Sequence, residues 1–177
     1  MKGFSVIRTV LSLLLAAAIL TASTPVLRAQ TVDPKWLKWD AATSTMTFEL
    51  IAGSDAAKSP FNFNGFVGGD ASLIVPPKSI VVLNFINKDG TPHSAMIIED
   101  KDPMPVMADT PAIPRALTRK AIEGLPQEAG DVIRFTAPAS GTYRIFCAVP
   151  GHGLSGMWIY FKVDPAAKEP RFEVRKP

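Results

Sequence analysis

Alternation of apolar and polar side chains with a period of two is the dominant pattern in this chain, and it predicts strands. In residues 45–50, Met46, Phe48 and Leu50 alternate with Thr45, Thr47 and Glu49, as a half-buried strand requires. Residues 61–66 repeat the pattern, with Phe61 and Phe63 opposite Asn62 and Asn64, and run into a glycine turn at Gly68 and Gly69, so a second strand is expected there. Residues 71–75 form a short apolar run stopped by Pro76 and Pro77. Residues 80–87, IVVLNFIN, are the strongest β-branched segment, and their near-continuous hydrophobicity predicts a central strand. Further strands are expected at 95–98, at 131–136, at 141–148, where Tyr143, Ile145 and Cys147 alternate, and at 157–163.

The connections are as informative as the strands. Residues 30–42 carry Trp36 and Trp39 and read as a loose arm or short helical turn whose indoles cover an open end of the fold. Residues 87–92, NKDGTP, have turn composition. Residues 99–131 make an unusually long connection containing Pro103, Pro105, Pro111, Pro114 and Pro126, in which 115–123 is the one place where a short helix fits. Residues 164–177 read as a polar tail of mixed charge. Short strands, frequent glycine and proline and little helix define an all-β class, a Greek-key β-sandwich with a long Pro-rich insertion.

Composition changes the picture at the amino terminus. Lys2 and Arg8 precede the apolar run 10–20, which is shorter than the roughly 20 residues a membrane-crossing helix needs. Residues 1–29 therefore read as a secretory signal peptide, cleaved after Ala29 or near Ser23, with an uncleaved anchor as the alternative. The single domain expected is then 30–177. The chain has 19 Lys and Arg against 16 Asp and Glu. Three of the basic residues, Lys2, Arg8 and Arg28, lie in the leader, so the remainder is formally neutral and nothing points to nucleic acid. One cysteine cannot close an internal disulfide in an oxidising compartment; its thiol must be buried, shared with another chain or bound to metal.

The chemistry concentrates in residues 141–163, where Cys147, His152 and Met157 form a C-x4-H-x4-M array broken by Pro150, Gly151, Gly153 and Gly156. Thiolate and thioether favour Cu(I), and imidazole serves both oxidation states, so the set suits copper through a one-electron change. The only other histidine, His93, would complete a His2Cys trigonal set with a weak axial methionine, the pattern of blue-copper electron-transfer sites. Ser94 follows a ligand directly and is placed to hydrogen-bond toward the Cys147 loop and so hold the two ligand segments together. Met96, Met104 and Met107 read as core or cover, and Asn87, Phe146 and Trp158 as packing around the site.

These residues carry a family resemblance. Phe61-Asn-Phe-Asn-Gly65, Pro92-His93-Ser94 and Cys147-x-x-Pro150-Gly-His152-x-x-x-Gly156-Met157-Trp158 together resemble the sulfocyanins, blue (type 1) copper proteins of the cupredoxin superfamily. The ligand spacing is also similar to that of the rusticyanins. The resemblance, over 45–163, implies a cupredoxin sandwich, one copper ion held by His93, Cys147, His152 and Met157, and one-electron transfer in a respiratory chain at the outer face of the cytoplasmic membrane.

On this reading the chain is not an enzyme and acts as an exported, periplasmic monomer. Packing and a weak axial thioether would favour reduced copper and a high potential. Redox partners of the cytochrome or terminal oxidase type would dock on a small apolar rim at Val149, Pro150, Gly153 and Leu154. The rival is a periplasmic copper carrier or storage protein, which would call for methionine-rich or multi-histidine clusters that the sequence lacks. A hydrolase would need carboxylates that the loop does not contain, and two histidines cannot build a second copper centre.

Overall fold

A computed structural model describes residues 35–54 and 59–175; the expected signal peptide lies outside the described residues. Among the described residues, nine strands form two sheets: β1 (Leu37–Asp40), β2 (Thr45–Ala52), β3 (Ala71–Val75), β4 (Ile80–Asn87), β5 (Met96–Glu99), β6 (Gly130–Thr136), β7 (Gly141–Phe146), β8 (Trp158–Val163) and β9 (Arg171–Val174). One sheet runs β1-β2-β4-β6 and the other β5-β7-β8-β3-β9. From β2 to β7 the chain changes sheet at every step, so the core is closed by contacts distant in sequence. β2 pairs in parallel with β4, and β3 with β8; the other pairings are antiparallel.

The alternation seen in the sequence becomes the core directly. Met46, Phe48, Leu50 and Ala52 lie in register with Val81, Leu83, Phe85 and Asn87, and all eight are buried. Each large apolar side chain in that double row is worth roughly 1.5–3 kcal/mol of burial. β4 lies between β2 and β6, the interior position its composition predicts. Its inward row ends on a polar residue, Asn87, at the end of the sandwich where the loop to His93 begins.

Four segments differ from expectation. The arm contains an edge strand, β1, and just before it Trp36 packs edge-on against Phe66 and Phe172. The polar tail contributes β9, which pairs with β3 and buries Phe172. Residues 115–123 hold no helix. Positive φ at Arg115 (65°) and Lys120 (51°) interrupts any helical run, and the backbone there bonds across to β5 and the residue before it through Ile97 N to Ala116 O (2.8 Å) and Thr118 N to Ala95 O (2.8 Å). The insertion thus covers the free edge of β5.

The fourth difference is residues 61–66, which are a turn-rich loop with isolated bridges from Phe63 to Ala52 and Phe66. Asn64 (φ 53°) and Gly65 (φ 90°) bend it. Both asparagines are buried. Asn62 Oδ1 accepts from the amides of Ser54 (3.1 Å) and Gly65 (2.8 Å), and its Nδ2 donates to the carbonyls of Ser54 (3.2 Å) and Ser59 (2.7 Å). Asn64 Oδ1 accepts from Ile51 N (3.0 Å), and Nδ2 donates to Glu49 O (2.8 Å). Each side chain stands in for a missing strand partner, which a test of apolar periodicity cannot detect.

Replacing Asn62 by alanine strands several of these buried backbone groups, so Asn62→Ala should cost about 2–4 kcal/mol in urea unfolding. A loss below about 1 kcal/mol would show that water replaces the amide at no penalty.

Candidate metal centre

Backbone pairing assembles the centre from two loops. One step beyond Phe146 and Trp158, the last pair of the β7–β8 ladder, Cys147 N donates to Met157 O at 3.1 Å. Residues opposed across an antiparallel ladder project to the same face. Cys147 and Met157 accordingly lie in the main core, while Phe146 and Trp158 pack in a smaller cluster with Met96, Ile98, Ala121 and Ala148. The connecting loop is folded by Met157 N to His152 O (3.0 Å), His152 N to Val149 O (3.1 Å) and Gly156 N to Gly153 O (3.0 Å). Gly153 is buried rather than on the rim: a methyl group there would overlap the Phe146 ring.

His93 comes from the β4–β5 connection, and the insertion holds it. Its N–H donates to Leu125 O (3.1 Å) and its carbonyl accepts from Leu125 N (2.7 Å). Asn87 Nδ2 ties the same loop by donating to Thr91 O (2.8 Å) and Leu125 O (2.9 Å). Gly124 has φ 78°, and a Cβ on it would stand 3.0 Å from His93 N, so this close approach requires glycine. Ser94 bridges to the other loop. Its N–H points at Cys147 Sγ (3.4 Å), its Oγ lies 3.7 Å from that sulfur, and the same Oγ accepts from Ala148 N (3.0 Å).

The donor atoms of His93, Cys147 and His152 all lie within 4.8 Å of one another. The two Nδ1 atoms are 3.2 Å apart, and Cys147 Sγ is 3.5 Å from His152 Nδ1. For a first-row divalent ion with bonds of about 2.05 Å to nitrogen and 2.3 Å to sulfur, as zinc makes, trigonal angles would separate those atoms by about 3.6 and 3.8 Å. The preformed spacing is therefore within a few tenths of an ångström of holding one ion. His93, Cys147 and Met157 are buried, while His152 is half-buried and tilted against Phe61 (centroids 4.8 Å apart).

Several contributors escaped the sequence reading. Phe61 also meets His93 edge-on at 6.2 Å, and Asp89 Oδ1 lies 3.4 Å from His93 Nε2. Val106, exposed in the insertion, accepts from Gly151 N (2.8 Å) beside the ligand loop. Proline-rich composition gave no sign of that contact. Among the other methionines, Met96 is core, Met104 Sδ receives Arg144 Nη1 (3.5 Å) and Met107 is exposed.

The environment keeps the donors neutral. Burial pushes the Cys147 thiol up, against the lowering effect of the Ser94 and Val149 amides and the Ser94 hydroxyl. Burial lowers both imidazoles, and His93 falls to about 4, with repulsion from His152 adding to the shift and Asp89 opposing it. Ion binding must therefore displace a thiol proton but no imidazolium proton at neutral pH.

This sandwich, with two imidazoles and a thiol brought together at one end, is a cupredoxin. The family model described as "Sulfocyanin (SoxE) domain" matches residues 34–172, and the chain belongs to the sulfocyanin family. It is similar to sulfocyanin of Sulfolobus acidocaldarius, 25% identical over 130 residues covering 68% of this chain and 64% of that protein. It is also similar to auracyanin-B of Chloroflexus aurantiacus, 29% identical over 138 residues covering 70% of this chain and 54% of that one. The chain thus spans only about half to two-thirds of the length of these relatives. The solved structure of the copper protein rusticyanin shares the fold, with TM-score 0.51 and 24% identity over 73% of this chain and 89% of that chain.

The His93 shift fixes a pH dependence. An unfolded histidine takes up its proton near 6.5, whereas the folded one waits until about 4, so the unfolded state binds more protons between those values. The metal-free protein should be indifferent to His93 above this window and lose stability as pH falls through it. Denaturation midpoints that stay level from pH 7 to pH 4 would contradict the burial of a neutral His93.

Proposed function

We propose that this protein is a type 1 (blue) copper electron-transfer protein, and that the observation carrying the proposal is the convergence of His93, Cys147 and His152 donor atoms within 4.8 Å at a buried end of the sandwich. Met157, on the same face as Cys147, is assigned as the weak axial ligand, and Ser94 as the outer partner of the thiolate. A bound copper ion would supply a one-electron Cu(II)/Cu(I) couple. The protein's part is to hold the ligands still. Leu125 fixes the His93 backbone, Ser94 joins the two ligand loops, and the Cys147–Met157 backbone bond closes the hairpin, so little has to move when the charge changes. Such a fixed, buried set favours a carrier of electrons over a carrier that releases metal.

Burial and the thioether support a high potential. His152 is the half-buried ligand, and the surface beside it includes half-buried Val149 and exposed Pro150 and Leu154. Val106 adds apolar surface from the insertion. A redox partner of the cytochrome or oxidase type docking there through a small transient interface would place its cofactor near the exit ligand. The apolar leader supports export, and family membership supports service in a respiratory chain.

Adding Cu(II) to the purified protein should produce an intense visible thiolate-to-copper band that bleaches on reduction. Cys147→Ser should abolish the band, and Met157→Leu should keep it with a raised potential. A colourless protein with reduced Cys147 and equimolar Cu(II) would rule out the assignment, and a wild-type potential in the leucine variant would remove Met157 from the axial position.

A further inference from the structure

We propose that Asp89 is a positioning residue for His93: its carboxylate holds the proton of the imidazole on Nε2, aims Nδ1 at the ion, and tilts the couple toward the oxidised state. The inference rests on the copper reading above.

The observation behind it is an orphan. His93 Nε2 is fully buried and makes no hydrogen bond by ordinary geometric criteria, a costly arrangement for an imidazole nitrogen. The carboxylate of Asp89 approaches it at 3.4 Å, just past good hydrogen-bond length. Only a small adjustment of the ring would close that contact. A histidine that binds metal through one nitrogen commonly donates the other N–H to a carboxylate, which fixes tautomer and orientation and raises ligand basicity.

Asp89 is itself held in place from three sides. Its N–H donates to Asn87 Oδ1 (2.9 Å), and its Oδ1 accepts from Thr91 N (2.7 Å). Its Cβ sits against Gly53, where φ is 64° and a methyl group would overlap it. A fixed anion on the far side of one ligand stabilises the more positive oxidation state at the ion.

The tautomer has a second consequence. With the His93 proton on Nε2, its Nδ1 is a bare acceptor, and the 3.2 Å contact to His152 Nδ1 needs a proton from the other ring. Metal-free protein therefore carries His152 as the Nδ1–H form, and that is the proton arrangement an incoming ion meets.

Two measurements test the proposal. In uniformly 15N-labelled metal-free wild-type protein at pH 7, two-bond 1H–15N spectra should show His93 protonated on Nε2 and His152 on Nδ1; His93 protonated on Nδ1 overturns the proposal. In Asp89→Asn, which keeps an acceptor but removes the charge, competition titrations should show Cu(II) affinity reduced about 10- to 100-fold, with Cu(I) affinity reduced less. The potential should rise by 59 mV for each tenfold change in that ratio. An unchanged Cu(II)-to-Cu(I) affinity ratio in Asp89→Asn overturns it. The tautomer experiment needs neither a variant nor copper. It tests the tautomer that Asp89 is proposed to hold even if the variant does not fold, and its failure is separable from failure of the visible band.

Discussion

Ser94 joins the two halves of the centre. His93 and Cys147 come from connections far apart in sequence, and the buried Ser94 hydroxyl that accepts from Ala148 N, beside a backbone N–H aimed at the cysteine sulfur, ties one loop to the other. Ser94 and Ala148 are both buried, so solvent does not reach this bond directly. Losing the hydroxyl would strand the Ala148 N–H, a penalty of about 1–3 kcal/mol for a buried donor. The loops are therefore coupled through a bond that is expensive to break, and the ligand spacing inherits that rigidity.

The Pro-rich insertion extends the same logic. At its start, buried Arg144 on β7 grips it through Asp100 (2.6 Å), Asp102 (3.1 Å) and the Lys101 carbonyl (3.0 Å), with the guanidinium 4.7 Å from the Trp158 ring centroid. Toward its end, Leu125 pairs with His93. Between them, Ala112, Ala116 and Thr118 bond to β5. A segment without regular structure of its own is thus fastened at both ends to strands that carry or adjoin ligands, and it serves as a brace for His93.

Strands β2 to β8 were legible because they left local marks such as the period-two burial in β2 and β4, and the five-residue spacing of Cys147, His152 and Met157 drew attention to that loop, with His93 named only as the remaining histidine. What stayed hidden were groups whose partners are remote. Asn62 and Asn64 obey the alternation expected of solvent-facing residues yet are buried, because their amides satisfy backbone groups of the loop after β2 and of β2 itself. Asp89 reads as an ordinary turn acid, and only the folded loop reveals His93 Nε2 beside it. Residues 115–123 have helical composition, but their backbone groups bond to β5, and tertiary pairing overrides propensity.

Desolvation links the chemistry of the ligands to the direction of the couple. The same burial that raises the Cys147 thiol and lowers both imidazoles leaves the unliganded donors uncharged, so the fold closes around them without burying an unpaired ion. With copper bound as proposed and the thiol proton displaced, the net charge of ion and thiolate would be +1 for Cu(II) and zero for Cu(I). A low-dielectric end of the sandwich would favour the smaller charge and hence the reduced state. Asp89 works against that tendency from the edge of the site, where partial exposure to solvent weakens but does not abolish its field. The potential is thus a balance between a dry interior and one carboxylate, and the sequence can move it by changing Asp89 without disturbing a ligand.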